Sequence, residues 1–187
     1  MVAPKLRMSL KGFEAFLARP ENISRRFELI DGEPVEKMVS EVHGILVMYL
    51  GAMLVNYTLA QPLARVTTEV HHYAPQAPQT VYQSDIAVTR YDRALPPSEG
   101  VAVPLMPDLA IEVKSPSNTY KELREKADYY LTHGSKLVWL ILPSQRLIEV
   151  YRIESDLDIL TDANMLDGED ILPGFQLSVQ TLFDAVR

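Results

Sequence analysis

PDLAIEVKSPSNTYKELREKADYY, residues 107–130, reads as an apolar strand running into a capped helix. Leu109 to Lys114 (LAIEVK) is the strand. Thr119 and Glu122 have the spacing of a capping box. Leu123, Ala127, Tyr130 and Leu131 then line one face of a helix, and Gly134 stops it. Side chains alternate faces along a strand, so Glu112 and Lys114 point one way and Ile111 and Val113 the other. A carboxylate and an ammonium at a strand end are, taken alone, an ordinary salt bridge. Their neighbours decide whether they are more.

Downstream, Lys136 to Leu142 (KLVWLIL) is nearly all apolar and reads as a strand buried on both faces, with Trp139 in the core. Pro143 to Arg146 turns the chain into Leu147 to Ile153. Upstream, Arg65 to Tyr73 and Val81 to Thr89 read as one strand each, and residues 90–107 as a surface loop rich in proline and charge. Ser40 caps a long helix reaching about Leu59. Asp31-Gly32 between RFELI (26–30) and Pro34 to Met38 signals a hairpin. Ser9 opens a first helix that Pro20 ends. A last helix lies near Leu182, after one or two short strands. This order predicts an α/β (α+β) fold, a sheet with helices packed on it, in a single domain over residues 1–187. Residues 1–39 form its N-terminal helix and hairpin, 40–153 its core and 154–187 an acidic C-terminal extension.

The 187 residues are 47% hydrophobic and 23% charged, the mix of a globular domain with a usable core. There are no cysteines, which excludes disulfide scaffolds, thiolate zinc sites and cysteine nucleophiles. The stretch Ile45 to Ala60 is interrupted by Tyr49, Gly51, Asn56 and Thr58, short of the roughly 18 apolar residues of a spanning helix. The segment MVAPKLRMSLKGF lacks the apolar run of a secretory signal. A cytoplasmic location and no membrane partner are therefore expected. The net charge is -7, and residues 154–187, with eight acids and Arg187, carry all of it. Residues 1–26 hold six bases and two acids. A local basic face can exist, made of Lys5, Arg7, Lys11, Arg25, Arg26 and Lys121.

Asp85, in the segment SDIAV, gives the strand-end pair its meaning. Two carboxylates converging from neighbouring strands, Asp85 and Glu112, make a hard-oxygen site for Mg²⁺ or Mn²⁺. A divalent ion there can hold a phosphate oxygen and acidify a water. Lys114 can orient that water or stabilise developing negative charge. Asp108 is the competing aspartate, but it lies four residues before Glu112, about 13 Å along a straight strand. It is better read as a strand-entry residue after Pro107.

Asp85 followed by Glu112-Val113-Lys114 resembles the PD-(D/E)XK nuclease superfamily. FELIDGEPV (27–35) with His43, then PDLAIEVKSPS (107–117) with Lys126, Tyr130, a glycine and LVWLILP (137–143), narrow the match. With PGFQL (173–177) and the terminal Leu182-Phe183, the layout resembles the Uma-two-like restriction endonuclease family over nearly the whole chain. The resemblance implies a restriction-endonuclease-like core, a mixed central sheet flanked by helices with the site at one edge. It implies Asp85 and Glu112 as metal ligands for Mg²⁺ (or Mn²⁺), with Lys114 as the assisting lysine. One departure is Ser84, where the motif has proline before the aspartate.

Glu33, His43, Lys126 and Tyr130 are accessory candidates. Lys126 and Tyr130 are four apart on one helix face. His43 lies in the first turn of the long helix. Glu33 is either near the site or an exposed hairpin residue. His71 and His72 alternate in a strand, so at most one faces the site. The leading expectation is a Mg²⁺-dependent endonuclease acting on DNA phosphodiester bonds, acting as a homodimer because two strands are often cut by two copies. The alternative is a catalytically silent nuclease-fold module that binds DNA or a protein partner. A third is a structural domain in which Glu112 and Lys114 are only an ion pair.

Overall fold

The computed structural model describes residues 7–187, so Lys5 of the expected basic face lies outside the described residues. Among the described residues there are four α-helices: α1 (Leu10–Leu17), α2 (Glu41–Ala60), α3 (Tyr120–Thr132) and α4 (Val179–Asp184). The strands begin with β1 (Arg26–Ile30), β2 (Glu33–Lys37), β3 (Ala64–Thr68), β4 (His71–Tyr73), β5 (Val81–Gln83) and β6 (Ile86–Arg90). They continue with β7 (Ala102–Val103), β8 (Leu109–Val113), β9 (Leu137–Leu142) and β10 (Leu147–Arg152). The last three are β11 (Asp158–Leu160), β12 (Met165–Asp167) and β13 (Gln176–Ser178). The main sheet has the order β11-β10-β9-β8-β6-β3 and is mixed, since only β8 and β9 run parallel. A second sheet has the order β2-β1-β5-β4-β7, and β12 pairs with β13.

The local signals explain the elements. Ser9, Ser40 and Thr119 cap α1, α2 and α3, the last with the reciprocal Glu122 bond of a capping box. Asp31 and Gly32 both take positive φ, 48° and 79°, as a two-residue turn matched to strand twist requires. In β8, Ile111 and Val113 pack with Leu46, Leu50 and Leu54 of α2 on one face of the main sheet. Ala110 packs with Leu123, Ala127 and Tyr130 of α3 on the other. Glu112 therefore points to the α3 side, as alternation dictates. Helix α2 has the length and mean hydropathy (1.5) to cross a membrane, but its Leu46, Leu50 and Leu54 are core residues.

Two strands expected to be continuous are broken. Arg65 to Tyr73 divides into β3 and β4, and Val81 to Thr89 into β5 and β6. Each half belongs to a different sheet. The pairs Thr68↔Ile86 and His71↔Gln83 show one hairpin bent across both sheets. Glu69, with φ 57°, makes the bend on one strand. On the other, Asp85 interrupts the ladder. The β6–β8 pairing ends at Ile86↔Ile111, and the Val113 amide donates to Asp85 Oδ2 at 2.8 Å instead of to a backbone carbonyl.

The acidic segment 154–187 is part of the main core through Leu166, Ile171, Leu172, Phe175, Leu182 and Phe183. Its charges face outward, where Arg146 pairs with Asp162 and Asp184, and Arg152 with Asp158 and Glu169. Asp108 is wholly buried at the entry to β8. Its carboxylate accepts from the Arg90 amide (2.9 Å) and Arg93 Nη1 (2.6 Å), and Lys136 Nζ lies at 3.4 Å. It ties three segments together and lies apart from the other carboxylates. Asp108→Ala is expected to cost about 1–3 kcal/mol in urea unfolding, because it leaves the part-buried Arg90 amide without its acceptor, while Arg93 and Lys136 can turn to water. A loss under 0.5 kcal/mol, roughly that of an ordinary surface change, would refute this role.

Candidate active site

Asp85, held at the bend between β5 and β6, is the first wall of a buried polar cluster. Glu112 on β8 is the second, and Glu28 on β1 the third. All three are buried. Two lysines separate them. Lys37, the last residue of β2, places Nζ 3.1 Å from Asp85 Oδ1, 3.6 Å from Glu28 Oε1 and 3.8 Å from Glu112 Oε2. It also donates to the Gln83 carbonyl at 2.8 Å. Lys126 of α3 places Nζ 2.5 Å from Glu28 Oε1 and 2.8 Å from Glu112 Oε1.

Neutral or titratable groups add further contacts to the three carboxylates. Tyr130, one helical turn after Lys126, donates to Glu112 Oε1 at 2.8 Å. His43 is set at the start of α2 by its backbone bond to the Ser40 cap, and its Nε2 lies 3.0 Å from Asp85 Oδ2. Glu28 Oε1 also accepts from the Gln83 amide at 2.8 Å.

Burial would raise the pKa of every carboxyl here, since it disfavours the charged form. The outcome differs between the three. At Asp85, burial is overcome by the Lys37 charge and the His43 hydrogen bond, so its pKa falls well below the usual range. At Glu28, burial is overcome by Lys126 and Lys37, and the pKa is lowered. At Glu112, burial wins against Lys126 and Lys37, helped by the neighbouring Asp85 and Glu28 charges, and pushes the pKa up to about 7. Lys37 is itself raised, because the three carboxylates outweigh its burial. Carboxyls driven apart in this way are a mark of functional sites.

The structure thus brings together Asp85, Glu112, His43, Lys126 and Tyr130. It does not bring Lys114 or Glu33 to them. The Lys114 ammonium donates to the Ser115 carbonyl (3.2 Å) and lies 5.0 Å above the Tyr120 ring. Glu33 is exposed beside the hairpin turn, four residues and about 13 Å along β2 from Lys37. Neither histidine of β4 meets the carboxylates: the His71 ring bonds the Phe27 carbonyl, and the His72 ring that of Leu105. Glu28 and Lys37 are additional members. Glu28 carried a signal, a lone charge between Phe27 and Leu29 of a buried strand. Lys37 carried none, as its neighbours in β2 are exposed. In the expected basic face, Arg25, Arg26 and Lys121 pair with Glu36, Glu69 and Glu125.

Two grooves open beside the cluster. One, of about 310 Å³, runs between the β1–β2 hairpin and α3 and is lined by Glu28, Lys37 and Lys126. The other, of about 620 Å³, runs between α2 and β3 past His43 and Thr68. No group of three or more acidic, histidine or cysteine side chains is arranged to hold a metal ion among the described residues. The pair Asp85 and Glu112 still fits one by its donor chemistry. Mg²⁺ uses one or two carboxylates and keeps several waters.

Comparison with known proteins agrees with this architecture. No curated protein matches the chain. A solved structure from Anabaena variabilis, titled a "putative nuclease belonging to DUF820", shares the fold with a TM-score of 0.82 at 20% identity, covering 96% of this chain and 99% of that one. The model of the Uma2 family, described as "Putative restriction endonuclease", matches residues 13–180, from within α1 into α4. With nearly its whole length matched, the chain belongs to the Uma2 family.

Proposed function

We propose that the chain is a metal-dependent endonuclease hydrolysing DNA phosphodiester bonds, with Mg²⁺ or Mn²⁺ held by Asp85 and Glu112. One observation carries this reading. Asp85 Oδ2 and Glu112 Oε1 are engaged by His43, Val113, Lys126 and Tyr130, whereas Asp85 Oδ1 and Glu112 Oε2 both face one point, where the Lys37 ammonium lies. Two hard oxygens and a bound cation define a cation position. A divalent ion bound there would supply polarisation of a phosphate and acidification of a water.

The side chains divide the remaining work. His43 and the Val113 amide fix the rotation of Asp85. Tyr130 does the same for Glu112. Lys126 holds positive charge beside Glu112, where it can offset charge developing on the phosphate. Lys114, at the strand end, is the second candidate for that task. Lys126→Ala is expected to lower cleavage by about 10²–10³-fold, and Lys114→Ala by about ten-fold or less. Equal losses would return the assisting role to Lys114.

The first test is nicking and linearisation of supercoiled plasmid with Mg²⁺ or Mn²⁺, stopped by chelation. Linear product would favour action by two copies, in keeping with a homodimer. Duplex binding without cleavage under either ion would instead support a silent nuclease-fold module.

A further inference from the structure

We propose that Lys37 is a resident counter-ion of the Asp85–Glu112 pair, and that a divalent ion enters the site by displacing its ammonium. The inference rests on the metal-site reading above and adds what the ion must compete with. Each carboxylate keeps one oxygen for the protein frame and turns the other toward Lys37. Asp85 Oδ1 is 3.1 Å from Nζ and Glu112 Oε2 is 3.8 Å from it. A divalent ion bonded to oxygens at about 2.1 Å would sit within a few ångströms of that ammonium, and the two like charges would repel strongly in so buried a place.

Lys37 is built to leave. It is carried by β2, an edge strand with a single neighbour, whose other residues are exposed. Its ammonium has two further partners, the Gln83 carbonyl at 2.8 Å and Glu28 Oε1, which it shares with Lys126, at 3.6 Å. A swing of its flexible four-carbon stem toward Glu28 would keep the charge paired while freeing both metal-facing oxygens. Lys126 cannot serve this way, since it is held on α3 between Glu28 and Glu112 on the opposite oxygen. Glu28 thereby gains a reason to be present: it is the carboxylate to which the displaced lysine retreats.

The test is calorimetric titration of Mn²⁺ alone into the wild type, Lys37→Met, Lys37→Gln and Asp85→Asn, without DNA. Removing the competing charge is expected to tighten Mn²⁺ binding by about ten-fold or more in both Lys37 variants. Thermal unfolding supplies a second readout. The Lys37 variants should melt lower than wild type without metal and gain more from Mn²⁺ than wild type does. Lys37→Gln, which keeps a polar but uncharged end, keeps the test open if Lys37→Met does not fold. Unchanged or weaker binding in the folded Lys37 variants, with wild-type binding lost in Asp85→Asn, would overturn the counter-ion role and leave the metal site standing. Binding that persists in Asp85→Asn, or is absent from all four proteins, would overturn both.

Discussion

Asp85→Asn and Glu112→Gln are each expected to lower metal-dependent DNA cleavage by about 10³-fold or more while the protein stays folded. Both substitutions keep side-chain size. In Asp85→Asn, the amide oxygen can still accept from Val113, so the bend that joins the two sheets retains its bond. In Glu112→Gln, the carbonyl can still accept from Tyr130. What each removes is one negative charge and one hard oxygen at the cation position. Calorimetry should show the Mn²⁺ heat lost together with cleavage, and circular dichroism should show unchanged secondary structure. Asp108→Asn is the matched control, an equally buried aspartate at the entry to the same strand but outside the cluster. Full activity in both Asp85→Asn and Glu112→Gln would remove these two carboxylates from the chemistry.

The parts of the site that were legible are those whose geometry is local. Alternation along β8 turns Glu112 from the α2 side to the α3 side. A capping box starts α3, and a four-residue spacing stacks Lys126 and Tyr130 on the face that meets Glu112. His43 follows from its place in the first turn after a serine cap. Lys114 shows where alternation stops being a guide. Its amide still bonds the Ile141 carbonyl, but β8 ends at Val113, and the chain turns at Ser115-Pro116. Proline cannot continue the ladder, and the Ser115 hydroxyl bonds Ser117 and Asn118 instead. The lysine therefore follows the loop toward Tyr120.

The illegible parts depend on long-range register. A two-residue alternation runs unchanged through the bends at Glu69 and Asp85, so one apparent strand conceals two. Only the second sheet places β1 beside β5, through the pair Leu29↔Val81, and so brings Glu28 to the Gln83 amide. Lys37 reaches the site because the hairpin folds its far end back over that contact. A charge at the end of an exposed strand looks like any surface lysine until its partners, 46 and 48 residues away, are known.

The frame that holds these charges should fail measurably when one cation is removed. Lys126→Met is expected to cost about 3–5 kcal/mol, the usual result of breaking a buried pair from one side. For a chain of this length, that lowers the midpoint of thermal unfolding by roughly 6–20 °C. The reason is a count of charge: without Lys126, Glu28, Asp85 and Glu112 share Lys37 as their remaining lysine. Glu28→Gln in the same background removes one surplus negative charge and should restore part of the loss, giving a coupling of about 1–3 kcal/mol in a double-mutant cycle. Glu112 sets the pH dependence. Its folded pKa, near 7, is above that of an unfolded glutamate, so it favours the folded state in acid, and this contribution is lost as pH rises through 7. Losing Lys126 removes a force that lowers this pKa, so the deficit of Lys126→Met should be larger at pH 8 than at pH 5.5. Urea unfolding of the four proteins at both pH values checks this. Additivity within about 0.5 kcal/mol, or a deficit independent of pH, would show that Lys126 packs beside Tyr82 and Tyr130 without balancing the carboxylates.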